Sequence, residues 1–172
     1  MKSIPKISVV MSVYNGENTI ETAINSILDQ SFRDFEFIII NDGSTDKTLN
    51  ILESYNDERI KIISQSNIGL TKSLNKAILL TKSNIIARQD ADEFSHQSRL
   101  EIQFNYLKEN DSISLIGSRA TIIDGKLKMV TKKINHQNLS KLLMRTNVFI
   151  HGTVMFKKKD FLDIGLYNSN FK

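Results

Sequence analysis

Three acids, Asp90, Asp92 and Glu93, stand within four positions at the end of "IIARQDADEF" (85–94), directly behind a run of strand character. Carboxylates crowded in this way repel one another, so folding gains nothing from them without a positive partner. A hard divalent ion such as Mn²⁺ or Mg²⁺ would supply one. It takes carboxylate oxygens and completes its sphere with water and substrate phosphate. The structural alternative is equally physical: Asp92 or Glu93 would cap the helix that follows. D-x-D is short and frequent, so spacing alone leaves both readings open. A calcium loop is not among them. Counted from Asp90, Asp92 and Glu101 fall at the third and twelfth positions, but Phe94 and Ser95 stand where an oxygen ligand and a glycine are required.

A fourth acid, Asp42 in "NDGSTD" (41–46), follows another apolar run. Asp-Gly is ordinary turn chemistry. The functional reading is a carboxylate that accepts an N–H of a nucleotide base. Tyr14 in "SVYNGE" (12–17) would stack on that base, or simply cover the edge of the core.

The elements that must position these groups are legible in the periodicity. Ile- and Val-rich runs at "ISVVMSV" (7–13), "FEFIII" (35–40), "IKIIS" (60–64) and "NIIARQ" (84–89) read as strands apolar on both faces. Between them, Ile20, Ala23, Ile24, Ile27 and Leu28 make one helical face, Leu49, Ile51, Leu52 and Tyr55 a second, and Leu70, Leu74, Ala77 and Ile78 a third. Strands of this kind alternating with amphipathic helices imply βαβ units, hence an α/β fold with a mostly parallel sheet flanked by helices. Ser44 and Thr45 are the expected N-caps of the second helix. Further along, 98–109 reads as a helix with Leu100, Phe104 and Leu107 inward, and 113–130 as strands with an antiparallel hairpin turning at Asp124-Gly125. A helix over 138–146, a strand over 153–156 and a short helix over 157–164 complete the pattern. In such a sheet, ligands bind beyond the carboxyl ends of the strands, where all four acids and Tyr14 lie.

The 172 residues suit a single domain, with 40% hydrophobic and 24% charged side chains, a globular profile. The net charge of +4 is too mild to argue for nucleic acid. The absence of cysteine rules out disulfides and zinc-thiolate sites. Neither G-x-G-x-x-G after a strand nor G-x-x-x-x-G-K-[ST] occurs, which counts against a dehydrogenase and a P-loop NTPase. The apolar run near the N-terminus is of strand length and lacks a cleavage site, so the expectation is a cytoplasmic protein, with peripheral attachment to the inner face of a membrane left open.

The sequence resembles the inverting family 2 glycosyltransferases of the GT-A fold, most of all bacterial enzymes that build capsule, O-antigen or other surface polysaccharide. The resemblance rests on four stretches in order: "ISVVMSVYNGENTIETAINSILDQSFRDFEFIIINDGSTDKT", "NIGLTKSLNKAI", "IIARQDADEFSHQSRLEIQ" and "HGTVMFKKKDFLDIGLYNSNF". It implies a nucleotide-sugar donor and a glycan or lipid-linked acceptor, with residues 1–97 as the nucleotide-binding half and 98–172 as the start of the acceptor side. On the donor side it implies Tyr14, Glu17 and Asp42 around the base, Ser12 within the donor-binding set, and Asn67 and Lys72 facing the donor. Arg88 would lie beside the diphosphate or sugar, Asp90 would hold ribose or a metal-bound water, and Ala91 would belong to the donor-binding set. Asp92, with Asp90, would hold Mn²⁺ or Mg²⁺. His151 would be near the acceptor, or would be an ordinary hydrogen-bonded histidine at a strand start.

Two positions depart from the family pattern: Ser12 stands where Pro is usual, and Glu93 where a second Asp is usual. The family's general base is a carboxylate shortly after a stretch like "GLYNSNF", so it is expected beyond Lys172, and Asp160 and Asp163 precede that stretch. A nucleotidyltransferase, or a donor-binding unit without transfer activity, is the alternative.

Overall fold

The computed structural model describes residues 3–124, 127–130, 136–145 and 147–170. In chain order the elements are β1 (Ile7–Val13), α1 (Ile20–Leu28), β2 (Phe35–Asp42), α2 (Thr48–Glu53), β3 (Ile60–Gln65), α3 (Leu70–Leu80), β4 (Ile85–Arg88) and α4 (Arg99–Glu109). Then come β5 (Leu115–Ile116), β6 (Thr121–Asp124), β7 (Leu127–Val130), α5 (His136–Leu143), a 3₁₀ turn (His151–Thr153), β8 (Met155–Lys157) and α6 (Lys158–Asp163).

Six strands form one sheet in the order β3-β2-β1-β4-β8-β5. The first four run parallel, while β8 is antiparallel to both of its neighbours. The side-chain alternation of β1 and β2 divides the interior in two. Ile7, Val9, Met11, Val13, Phe35, Phe37 and Ile39 pack with Ile20, Ile24, Ile27 of α1, Leu52 of α2 and Leu100, Leu107 of α4. Val10, Ile38 and Ile40 point the other way, against Ala77 and Ile78 of α3 and the partly buried Phe161 of α6. Burying both faces explains why these strands read as unbroken apolar runs. Each fully buried Ile of α1 contributes about 1.5–3 kcal/mol over an exposed one.

β6 and β7 pair antiparallel as a separate two-stranded sheet, with Asp124 opposite Leu127. The Gly125 half of the expected turn lies outside the described residues. The late strand occupies 155–157 rather than 153–156, because Ile150 accepts from the Thr153 amide and closes the 3₁₀ turn first.

The capping expectation for α2 is corrected. The helix begins at Thr48, and Asp46 Oδ1 accepts from the Thr48 amide (2.9 Å) and hydroxyl (2.5 Å). Ser44 and Thr45 bond to Asn15 instead: Ser44 Oγ accepts from the Asn15 amide, and the Thr45 amide donates to Asn15 Oδ1. An Asp two residues before the helix offers its amide a nearer acceptor than either hydroxyl does.

Candidate functional site

Strand order reverses between β1 and β4: from β1 the chain first builds outward through β2 to β3, then crosses back. The exit loops of all four parallel strands therefore meet at one edge, with the crevice at the β1/β4 junction.

On the β1–β2 side the loops are fastened to each other. Asn15 adopts a left-handed conformation (φ 53°), which Asn tolerates, and its side chain holds the 44–45 turn. The Gly16 amide donates to Thr48 Oγ1 (2.8 Å). Glu17 is clasped in both directions: its amide donates to Asp46 Oδ2 (3.1 Å), and its own Oε2 accepts from the Lys47 amide (2.9 Å). Tyr14 is 53% exposed above this junction, and Ser12 is half-buried one residue before the end of β1.

Asp42 closes β2 and is only 2% exposed. Its Oδ1 accepts from Gln65 Nε2 (2.7 Å) and the Ile68 amide (3.0 Å), and its Oδ2 from the Gly69 amide (2.9 Å). Burial pushes its pKa up, but the bonds from Gln65, Ile68, Ser73 and Gly69 outweigh that and hold it below the ordinary value. The charge thus faces the amides that lead into α3. Gly43, next in the chain, has φ +78°, and a Cβ there would lie 2.6 Å from the Asn67 amide nitrogen. Asn67 and Lys72 are themselves exposed.

On the β4 side the acids form a compact turn. Gln89, fully buried, donates through Nε2 to the carbonyls of Asp90 (3.1 Å) and Glu93 (2.8 Å), while its Oε1 accepts from Ser95 Oγ (2.6 Å). The Glu93 amide donates to the Asp90 carbonyl (3.3 Å). Ala91 packs on the core and Asp92 is exposed, so the two aspartates of D-A-D flank a partly buried methyl.

Two buried arginines answer these charges. Arg88, 2% exposed, pairs through Nη2 with Asp90 Oδ1 at 2.7 Å, and its Nε and Nη1 are buried without a hydrogen-bond partner. Arg99 opens α4, donating through Nη1 to the Gly152 carbonyl (2.7 Å) and through Nη2 to the Arg88 carbonyl (2.9 Å). Glu93 lies flat on Gly152, where a Cβ would fall 1.9 Å from its Oε2. Burial lowers the Arg99 pKa to about 10 against the pull of Glu93 and Asp90.

The acids do not settle at neutral cost. Asp90 is raised by burial and by Asp92, although Arg88 and His151 pull it back. Glu93 is raised by burial, then by Asp90 and Asp92, with Arg99 and Arg88 opposing. His151, exposed at the 3₁₀ turn, is lowered by burial of part of its ring and by Arg88, with Asp90 opposing. Its ring meets Tyr167 edge-on, centroids 5.3 Å apart.

The structure therefore brings Arg88, Asp90, Asp92 and His151 into one charged cluster, with Ala91 between the two aspartates; Ser12 and Asp42 lie at the ends of β1 and β2, Lys72 in the first turn of α3, and Tyr14, Glu17 and Asn67 on the loops that follow β1 and β3. Among the described residues no three His, Cys, Asp or Glu side chains converge as a metal-binding group. Asp90 and Asp92 offer hard oxygen donors, and two carboxylates match what Mg²⁺ or Mn²⁺ keeps from a protein when phosphate and water complete its sphere. The donor set fits such an ion. Gln89, Glu93, Arg99, Gly152 and Tyr167 were not singled out as site residues in the sequence. All five fall within stretches that carry the family resemblance, but only Glu93 stands out by its charge; a buried Gln or Arg looks like any surface residue until its partners are known.

Comparison with known proteins identifies the family and the fold. The sequence profile described as Glycosyl transferase family 2 matches residues 8–165. The putative glycosyltransferase EpsE of Bacillus subtilis is 33% identical over 173 residues, which cover 98% of this chain and 62% of that protein. The O-antigen biosynthesis glycosyltransferase WbnJ of Escherichia coli is 36% identical over 163 residues, covering 92% and 64%. An uncharacterized glycosyltransferase of Haemophilus influenzae is 42% identical over 126 residues, covering 72% and 39%. The chain thus spans less than two thirds of the length of these curated relatives. Among solved structures, S. aureus TarS 1–349 in complex with UDP-GlcNAc superposes with a TM-score of 0.77 at 22% identity, covering 94% of this chain and 48% of that one. The Pyrobaculum calidifontis mannosyltransferase PcManGT, in complex with GDP-Man and Mn²⁺, gives 0.73 at 17%, covering 96% and 48%. At these identities the two superpositions establish the fold, that of the GT-A glycosyltransferases.

Proposed function

The chain belongs to glycosyl transferase family 2, and from that premise we propose that it forms the donor-binding part of an enzyme that moves a sugar from a nucleotide-diphosphate sugar to a glycan or lipid-linked acceptor. A UDP-sugar donor, inversion at the anomeric carbon, dependence on Mn²⁺ or Mg²⁺, and a place in bacterial surface polysaccharide synthesis belong to the same reading. WbnJ, named for O-antigen biosynthesis, supports the last point. UDP-GlcNAc on TarS and GDP-Man with Mn²⁺ on PcManGT support a nucleotide-sugar donor. A nucleotidyltransferase is set aside by the family match.

The observation that carries the reading is the pair of raised carboxylates, Asp90 and Glu93, held beside exposed Asp92 at the strand-order reversal. Burial is the larger cause of both shifts and the repulsion among the acids adds to it; a bound cation would oppose both. Asp92 and Asp90 would hold the divalent ion, which supplies a Lewis acid for the charge that develops on the leaving diphosphate. The guanidinium of Arg88, paired with Asp90 through Nη2, keeps two buried N–H atoms, Nε and Nη1, without a partner. Across the crevice the exposed ring of Tyr14 is available for stacking on the base, and Asp42, kept ionised, orients the loop that carries Asn67 toward it. His151, whose ring meets Tyr167 edge-on, would lie near the acceptor. No residue of this chain is assigned the general base; Asp160 and Asp163 lie on α6.

The test is calorimetry with UDP and with dTDP, run with Mn²⁺ and again with chelator. The reading requires binding that appears only with metal and disappears in Asp92→Ala. Equal affinity with and without metal would overturn the metal-dependent reading.

A further inference from the structure

The charge of the chain is divided unevenly. Between Asp124 and Asp160 there are nine of the 23 basic side chains and none of the 19 acids. The remainder therefore carries 14 basic against 19 acidic groups, a net −5 on a protein whose total is +4. Two of the nine are committed within the fold: Lys157 Nζ donates to the Asp111 carbonyl (2.7 Å) and Lys158 Nζ to the Thr81 carbonyl (2.9 Å). Lys141 and Arg145, in the last turn of α5 and just after it, are exposed. Between them Leu143 is 46% and Met144 82% exposed.

An apolar pair presented to solvent between two cations, on a segment free of acids, has the chemistry of a surface that meets anionic lipid. We propose that the end of α5, with its basic flanks, docks on the anionic face of a bilayer: Leu143 and Met144 enter the headgroup boundary, and Lys141 and Arg145 lie among the phosphates. Among the described residues no helix is long and apolar enough to cross a membrane, so attachment of this part of the chain is at the surface. A nucleic acid would satisfy the cations but would leave Leu143 and Met144 without a partner, so lipid accounts for more of the patch.

The position has a consequence for the chemistry. Six residues lie between Met144 and His151, so the seven steps of chain joining them span at most about 25 Å. A bilayer under α5 thereby brings the headgroup plane within reach of the Asp90–His151 cluster, where a lipid-linked acceptor would present its sugar. That consequence rests on the glycosyltransferase reading; lipid binding itself does not.

The experiment is co-sedimentation of the chain, without nucleotide or metal, with vesicles of phosphatidylcholine alone and of an equal mixture with phosphatidylglycerol. Binding is expected to the mixed vesicles only, and to fall as salt rises from about 0.1 M to about 1 M, where the screening length drops from about 10 to 3 Å. Lys141→Glu with Arg145→Glu is expected to weaken binding by at least about tenfold, as two cations each lose an anionic surface. Met144→Glu is expected to weaken it as well, and circular dichroism checks that each variant keeps its fold. Equal binding to both vesicle types, no binding to either, binding to an oligonucleotide in place of vesicles, or variants that bind like the parent would each overturn the proposal. None of these results depends on whether sugar is transferred, so the surface and the enzymatic reading fail separately.

Discussion

Asp92→Asn should move stability and function in opposite directions. In the protein alone, the Asp92 charge raises the pKa of both Asp90 and Glu93, so removing it relieves two repulsions. Asp92 is exposed, and water screens its interactions, so each repulsion is worth a few tenths of a kcal/mol, and the expected gain is about 0.5 kcal/mol and at most about 1. The sign follows from proton linkage. A carboxyl whose folded pKa lies above its unfolded one binds more protons when folded, so stability falls as pH rises through that interval. For Asp90 and Glu93 the interval starts at the ordinary values of 3.8 and 4.5 and extends upward. The Asn variant should therefore gain at pH 7 and lose its advantage near pH 3, where the parent's carboxyls are protonated in both states. Urea unfolding followed by circular dichroism, in chelator at both pH values, measures this, and in heat scans the gain corresponds to roughly 1–4 °C. Metal-dependent nucleotide binding by the same variant should be lost. A destabilised Asn variant at pH 7 in chelator would refute the premise that these acids are kept at a cost to the fold.

Two further outcomes follow from the packing. Gly43→Ala places a Cβ 2.6 Å from the Asn67 amide on a backbone at φ +78°, where a side chain is strained as well, so a loss of about 1–3 kcal/mol is expected in urea unfolding. Arg99→Met removes the two bonds to the Gly152 and Arg88 carbonyls and one of the two arginines that hold the Glu93 pKa down, which should cost about 3–5 kcal/mol; an effect below about 1 kcal/mol in the same assay would mean that the Met packs as well as the guanidinium does.

The sequence states its own βα alternation because the signal is local. Ile38 and Ile40 differ from Phe37 and Ile39 only by the side of the strand they face, so a run that is apolar throughout already implies cover on both sides. The same local logic failed at α2. Ser44 and Thr45 are good caps in isolation, but Asn15, far away in sequence, claims both, and Asp46 takes the helix amide. The D-A-D-E cluster was legible because like charges close in sequence are close in space whatever the fold. The division of charge along the chain was legible too, since it needs only the order of residues.

Taken alone, then, the amino-acid order determined the α/β architecture, the family and the edge at which the acids gather, because periodicity and charge crowding act between near neighbours. The tertiary structure decided which groups answer those acids. Arg99 reaches Gly152 across 53 residues, and Gln30 donates to the His96 carbonyl across 66. It also placed His151 within the field of Arg88 and Asp90, and set the ring of Tyr167 against it. Contacts of this range depend on how the strands are ordered and how α4 lies against the sheet, and no local pattern encodes either.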